Sequence, residues 1–421
     1  MPSITPTDWM QSPSARRVWQ ALEAAGSEAR FVGGCVRDAL LGRPVSDFDI
    51  ASTLPPEDAL RALEKADIKA IPTGLAHGTV TAVADDVTYE ITTLREDVAC
   101  DGRHADVAFT HDWQADASRR DFTMNALYAT PEGEIFDYFG GVEDAKAGHV
   151  RFIGDAKARI EEDALRILRF FRFYARYGQG EMDETALSAC VAEAFRLEGL
   201  SGERIQAEML KLLAAPDPTP VLERMGEGGI LRLLSLPVPP GEYSPLQRLV
   251  QQKLTPDAIA RLAVLVRRCE NPVEVRAALS QRWRLSNADK NALSQLVTSN
   301  VTAIAQWPEA EWQKTIRRIG VPRFCQMVRI AWAEDASADA KAYHAPLKLA
   351  DTWQVPEFPL KGGELIAAGI ADKGPKIGTL LKALEEWWES HGYQPDKTAL
   401  LSEARERVKR INCRSYRHPD E

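Results

Sequence analysis

Phe31 to Ser52 reads FVGGCVRDALLGRPVSDFDIAS. An apolar pair runs into Gly33-Gly34, and Val36-Arg37-Asp38 opens a helix. A turn then spans Gly42 to Pro44, and Ser46-Asp47-Phe48-Asp49-Ile50 starts an apolar strand. In an extended strand residues i and i+2 share a face, so Asp47 and Asp49 converge on one hard cation or two. Gly33 and Gly34 lie just ahead of a helix N-terminus, where unpaired backbone N–H groups favour phosphate. A phosphate cradle beside metal ligands points to nucleotidyl or phosphoryl transfer.

The flanking sequence builds a sheet around this stretch. Arg16 to Ala25 has helical spacing with Gly26 as its stop, Pro55-Pro56-Glu57-Asp58 starts a helix through Leu63, and Ile68 to Ile71 reads as a strand. Gly78 to Val83 and Val87 to Leu94 are β-rich runs separated by Asp85-Asp86, a hairpin signal. The expectation is a mixed sheet with flanking helices. Glu90 falls mid-strand, where a carboxylate facing a core would be costly; a third metal ligand and an exposed sheet face both account for it. Arg95 to Asp106 is polar and contains Gly102, so it reads as a mobile loop whose charges act on bound substrate. His111-Asp112 reads as a loop ion or a cap. Ser118 to Leu127 packs basic, acidic and amide groups ahead of an apolar run, and Asp137 to Gly141 with Gly148 marks a boundary.

Beyond about Asp155 the strand signals stop. Ala158 to Tyr177 reads as one helix closed by Gly178, carrying Asp163, Arg166, Arg169 and Arg172 at successive i+3 steps. Such an Asp–Arg pair stabilises a helix surface by only ~0.2–0.5 kcal/mol. Held rigidly, it also offers an acceptor and donors in one plane, as the Watson–Crick edge of a base requires. Ser201 is an expected N-cap for the next helix. The remainder is helical in pattern, and its tryptophans, among them Trp283, Trp312 and Trp388, suit a helical core better than stacking platforms.

The 421 residues suffice for several domains. A net charge of −9 argues against general nucleic-acid binding, yet arginine clusters such as Arg119-Arg120, Arg166 to Arg176 and Arg405 to Arg417 allow local basic patches. Apolar runs fall short of the ~20 residues of a membrane helix, and the first residues lack a signal-peptide core, so a cytoplasmic protein is expected. The six cysteines form no CxxC pair and read as free thiols, without zinc or a disulfide framework.

Taken in order, VGGCVRDALLGRPVSDFDIAS, RRDFTMNALY, EEDALRILRFFRF and SGERIQAE resemble the class II tRNA nucleotidyltransferases, the bacterial CCA-adding enzymes and their relatives the bacterial poly(A) polymerases. The resemblance spans Phe31 to Leu213. It implies an α+β fold: a polymerase-beta-like nucleotidyltransferase head over 1–150, then an all-helical neck over 151–215, body over 216–350 and tRNA-binding tail over 351–421. It further implies that Gly33, Gly34 and Arg37 meet the triphosphate, and that Asp47 and Asp49, with Glu90 as a possible third ligand, hold Mg²⁺. Arg120 would bind nucleotide, with Asp121 and Asn125 near the ribose. Asp163 and Arg166 would read cytosine or adenine, and Arg169 and Arg172 would add nucleotide contacts. Many relatives carry Arg-Arg-Pro in the mobile loop; this chain has Gly102-Arg103-His104-Ala105, retaining Arg103 as the loop's catalytic arginine. The implied activity adds or repairs the 3′-terminal CCA of tRNA from CTP and ATP, with protein as template and no membrane or protein partner. Poly(A) synthesis and CC addition are the near alternatives, and a non-catalytic RNA-binding or nucleotide-binding protein the remote one.

Overall fold

The structure is a computed structural model that describes residues 2–100, 105–299, 303–337 and 339–415. Two compact units divide the chain, Met1–Thr298 and Ser299–Glu421. The first holds the strands: β1 (Ala29–Val32), β2 (Phe48–Ser52), β3 (Lys69–Gly74), β4 (Thr79–Ala84), β5 (Val87–Thr93), β6 (Arg95–Cys100), β7 (Ala105–Phe109), β8 (Leu127–Ala129) and β9 (Ile135–Asp137). Seven of them form one mixed sheet in the order β3-β4-β5-β2-β1-β8-β9. β2 runs antiparallel to β1 and parallel to β5. The expected hairpin forms at Ala84↔Val87. Its two-residue turn puts Asp85 and Asp86 at φ 50° and 62°, the left-handed pair that matches strand twist and that Asp tolerates.

Alternation along the strands sends side chains to two cores. Phe31, Ile50, Val80, Tyr89 and Ile91 pack with helices α1 (Pro13–Ala24), which supplies Val18 and Leu22, and α3 (Pro56–Lys65), which supplies Leu63; α2 (Gly34–Leu40) adds Val36. Val32 and Ala51, one residue on, pack from the other face against Leu94, Trp113, Tyr128 and Ile153. Burying each large apolar side chain stabilises the sheet by about 1.5–3 kcal/mol. Because Asp49 stands one residue before Ile50 and two before Ala51, it lies on the second face, as does Glu90, its direct register partner across β2 and β5.

Two expectations change. Arg95 to Asp106 is not a plain loop: β6 and β7 pair antiparallel from Arg95↔Phe109 to Cys100↔Ala105. Backbone pairing alone can carry a short ribbon, so its polar composition hides it. Arg103, between them in sequence, lies outside the described residues.

The helix expected from Ala158 to Tyr177 is two helices, α6 (Ala156–Glu162) and α7 (Leu165–Tyr177), after α4 (Trp113–Ser118) and α5 (Gly141–Ala147). Asp163 breaks it with extended backbone, φ −153° and ψ 105°, while its carboxylate accepts from the Leu165 N–H at 3.0 Å. That local hydrogen bond is why Asp favours helix ends over interiors. Gly178 is the C-cap of α7, as expected, and ends it in extended backbone. Space demands glycine there, since a Cβ would lie 2.6 Å from the Tyr174 ring and carbonyl oxygen.

Helices α8 (Glu184–Ala192) and α9 (Gly202–Leu213) follow, and α9 packs along α7. Ser201 precedes α9 without a capping hydrogen bond from its side chain. Trp283 is fully buried, its indole donating to Leu234 O at 2.9 Å. In the second unit Trp388 sits among Leu360, Leu365, Leu384 and Leu400, and Trp312 donates to Ile304 O at 2.7 Å. These tryptophans are core, as expected. Cys35, Cys190, Cys269 and Cys325 are free. No described helix is long and apolar enough to cross a membrane.

Candidate active site

β1 delivers the chain into Gly33, whose φ of 73° and ψ of −120° lie outside the conformations open to residues with a Cβ. The Gly33 N–H donates to Leu127 O at 2.9 Å, tying the turn to β8, and α2 starts at Gly34. A Cβ on Gly33 would stand 3.5 Å from Arg120 Nη1, so Arg120 lies directly against this turn. The same construction at Gly34 meets Arg37 Nη2 at 3.7 Å.

Arg120 is aimed by a group the sequence reading passed over. Asp116, 1% exposed on α4, accepts through Oδ2 from Arg120 Nη2 at 3.0 Å and from the Tyr128 hydroxyl at 2.7 Å. Its Oδ1 accepts from Arg119 at 2.8 and 3.0 Å and from the Arg95 N–H, at the root of β6, at 3.2 Å. Burial alone would raise the Asp116 carboxyl, but Arg120 and Arg119 hold it well below the usual carboxylate range. A signal existed in the sequence: Asp116 stands three and four residues before the two arginines, the spacing of helical neighbours. Asp112 caps α4, accepting from the Gln114 and Ala115 N–H groups at 2.8 and 3.2 Å, so the His111-Asp112 pair is a cap.

Asp121, Asn125 and Arg37 form one buried chain. Asp121 Oδ1 accepts from the Phe122 N–H at 2.9 Å and from Asn125 Nδ2 at 3.0 Å, and Asn125 Oδ1 accepts from Arg37 Nη1. Arg37, 5% exposed, also donates to both Asp38 oxygens at 3.0 and 3.1 Å and to the Tyr177 hydroxyl at 2.7 Å. Asp121 Oδ2 accepts from Arg169 Nε at 2.6 Å, joining the sheet to α7. Burial pushes the Asp121 carboxyl up, yet Arg169 and the Asn125 hydrogen bond outweigh it and the net shift is downward.

Asp163 and Arg166 are not paired side chain to side chain. Asp163 Oδ2 accepts from Arg204 Nη2 of α9 at 2.7 Å. Arg166 donates to Glu162 at 2.5 Å, to Arg159 O at 3.0 Å and to Arg119 O at 3.1 Å. Arg172 donates to Glu208 of α9, which lies 3.8 Å from Arg169 as well. Arg204 and Glu208 belong to SGERIQAE and stand four apart on one helix face, a spacing that carried their signal; nothing in the sequence marked Tyr177.

Asp47 is exposed, Asp49 half-buried and Glu90 exposed, which removes any burial cost at Glu90. Burial, then the charge of Glu90, pushes the Asp49 carboxyl up to about 6 against the pull of Arg120, and Asp47 adds to the rise. Carboxylates that repel one another beside solvent have the donor chemistry a hard divalent cation requires, so Asp47 and Asp49 fit one. Among the described residues no three His, Cys, Asp or Glu side chains form a ready-made metal cluster, and Glu90 stands beside Asp49 in register across β2 and β5. A cleft of about 610 Å³ beside Met10, Trp19, Arg30 and Phe136 has none of these residues in its lining.

Comparison with known proteins gives the family. A family model described as the poly A polymerase head domain matches residues 29–151, and one described as a probable RNA and SrmB binding site of polymerase A matches 181–237. The chain is 37% identical over 383 residues to the mitochondrial CCA tRNA nucleotidyltransferase 1 of Danio rerio, covering 89% of this chain and 86% of that protein. It is 31% identical over 373 residues to the CCA-adding enzyme of Leuconostoc mesenteroides, covering 88% and 90%. The crystal structure of the Bacillus stearothermophilus CCA-adding enzyme in complex with CTP superposes with a TM-score of 0.76 at 29% identity, covering 95% and 98%. The family implies use of a divalent metal. By its sheet, its linked motif residues and these matches across most of its length, the chain belongs to the CCA-adding enzymes, the tRNA nucleotidyltransferase family.

Proposed function

We propose that this chain adds or repairs the 3′-terminal CCA of tRNA from CTP and ATP, releasing diphosphate. One observation carries the reading. Arg120 lies against the Gly33 turn while the next residue, Asp121, is held by Arg169, one helical turn from Arg166. Triphosphate and base would thus be gripped by parts of one hydrogen-bonded frame.

In this reading Gly33, Gly34 and Arg120 hold the triphosphate for in-line attack of the RNA 3′-hydroxyl on the α-phosphate, an electrostatic role. Arg37, with four of its five N–H groups engaged by protein, braces the turn and keeps one for phosphate. Asp47 and Asp49, with Glu90 as third ligand, would hold Mg²⁺, which would supply charge neutralisation at the reacting phosphates. Asn125 and Asp121 meet the ribose, and Arg169 and Arg172 line the path between sugar and base. Asp163 and Arg166 present acceptor and donors to the base edge, each kept rigid by its own partner, Arg204 or Glu162. Arg103 acts from the segment between β6 and β7. We assign 1–150 as head, 151–215 as neck, 216–350 as body and 351–421 as the tail that meets tRNA.

The test is to incubate the full chain with tRNA lacking its 3′ end, giving CTP and ATP singly and together. Three added residues support the proposal; two, or a long A tail, would replace it with CC addition or poly(A) synthesis, and no addition would overturn it. Arg166→Ala is expected to lower the preference for CTP over UTP at least about tenfold, because a site that loses a buried polar partner loses its power to reject the wrong base. An unchanged CTP/UTP ratio in a variant that folds normally would remove Arg166 from base reading.

A further inference from the structure

We propose that Tyr177 is a positioning residue for the triphosphate end of the site, fixing Arg37 and the Gly33–Gly34 turn to the helix that carries Arg166. The proposal rests on the nucleotidyl-transfer reading above and adds a residue to it.

Tyr177 ends α7 and is 5% exposed. Its hydroxyl accepts from Arg37 Nη2 at 2.7 Å and from Arg176 Nε at 3.2 Å and donates toward Asp38 Oδ2 at 3.4 Å. Its ring lies under two guanidiniums, with Arg37 Cζ 4.2 Å and Arg43 Cζ 4.5 Å from the centroid, and stacks on Phe173 at 5.8 Å. Arg43 also donates to Arg176 O at 3.1 Å, so the end of α7 is clamped to the end of α2.

Packing does not explain the hydroxyl. Phenylalanine would fill the same space and keep both cation–π contacts. What the oxygen adds is a partner for Arg37 from another element. Asp38 neighbours Arg37 in sequence, and Asn125 reaches α7 only through Asp121 and Arg169, so neither can report directly where the C-terminal end of α7 lies. Tyr177 can, across 140 residues of chain. A helix rises about 1.5 Å per residue, so Arg166 stands roughly 16 Å along the same rod. Anchoring α7 at Tyr177, Arg169 and Arg166 sets the span between the phosphate grip and the base reader. Without the hydroxyl a nearly buried guanidinium loses one partner and can swing away from the glycine turn, whereas base contacts near Arg166 keep their other anchors.

The experiment compares wild type, Tyr177→Phe and Tyr177→Leu in the full chain. Inhibition of CMP incorporation by inorganic pyrophosphate and by cytidine 5′-monophosphate is measured, with KM for CTP and ATP and a thermal melt. For Tyr177→Phe the expected result is a rise of about tenfold in KM for both nucleotides and in the pyrophosphate inhibition constant, the scale of one hydrogen bond to a charged group. The CTP/ATP preference and the monophosphate constant stay unchanged. Tyr177→Leu should weaken pyrophosphate to the same degree, since both variants lack the oxygen. Unchanged pyrophosphate inhibition in Tyr177→Phe, or a loss confined to Tyr177→Leu, overturns the proposal in favour of a packing role. Failure of the wild type itself to transfer nucleotides would instead overturn the nucleotidyl-transfer reading, and this assignment with it.

Discussion

Asp47→Ala and Asp49→Asn are each expected to reduce nucleotide transfer by about 10³-fold or more while leaving the fold intact. Among the described residues neither carboxylate has a hydrogen bond or salt bridge that a substitution would break. Asp47 is exposed and Asp49 half-buried at the mouth of β2, so no core is opened. Burial, then the charge of Glu90 and to a lesser degree that of Asp47, lifts the Asp49 carboxyl to about 6, and removing either aspartate charge relieves part of that cost. Without divalent metal the variants should therefore melt at or slightly above the wild-type temperature. Added Mg²⁺ should raise the wild-type midpoint by binding the native state and leave the variants' midpoints unmoved. Thermal melts with and without Mg²⁺, beside single-turnover CMP addition, check both halves. Substantial Mg²⁺-dependent transfer by Asp47→Ala would sink the ligand assignment.

Asp121→Ala is expected to destabilise the first unit by about 3–5 kcal/mol, the range found when one partner of a buried ion pair is removed and the other is left uncompensated. Asp121 is 8% exposed and closes two links at once, Asn125 on the sheet side and Arg169 on α7. Asp121→Asn, which keeps an acceptor for the Phe122 N–H, should lose less. The pH dependence has a definite sign. The Asp121 carboxyl is depressed in the fold because Arg169 and the Asn125 hydrogen bond outweigh burial. The stability it contributes is present above the unfolded value of about 3.9 and is lost as pH falls through the folded one. Wild type should therefore lose more stability than Asp121→Asn as pH drops from about 6 toward 3. Urea titrations of the full chain at several pH values measure this, and an Asp121→Ala loss below about 1 kcal/mol would show that the link to α7 is not structural.

The balance between sequence and structure is clearest at particular residues. The hairpin at Asp85-Asp86, the cap at Asp112 and the glycine turn at Gly33 were legible because each is local chemistry: a few neighbouring residues set the backbone angles or supply the cap. The register that sets Glu90 beside Asp49 was not, since parallel pairing joins strands through a long crossover and leaves no short-range mark. The ribbon of β6 and β7 was hidden by its charges. Asp163 misled for a physical reason, because helical spacing counts positions and cannot see a side chain that bonds its own backbone instead.

From residue types and spacing alone came a mixed sheet, a glycine turn ahead of a helix, two carboxylates at the head of a strand and an arginine-rich helix, since these depend on periodicity and on chemistry within a few positions. Partnership needed the folded chain. Glu208 beneath Arg172, Arg204 on Asp163 and Tyr177 on Arg37 join residues that meet only when α7 packs with α9 and α2. A buried guanidinium or carboxylate must be paired wherever it ends up, and which partner it finds is set by packing between distant segments. That pairing gives Arg37, expected as a phosphate contact, partners in two distant segments, Asn125 beside the glycine turn and Tyr177 on α7.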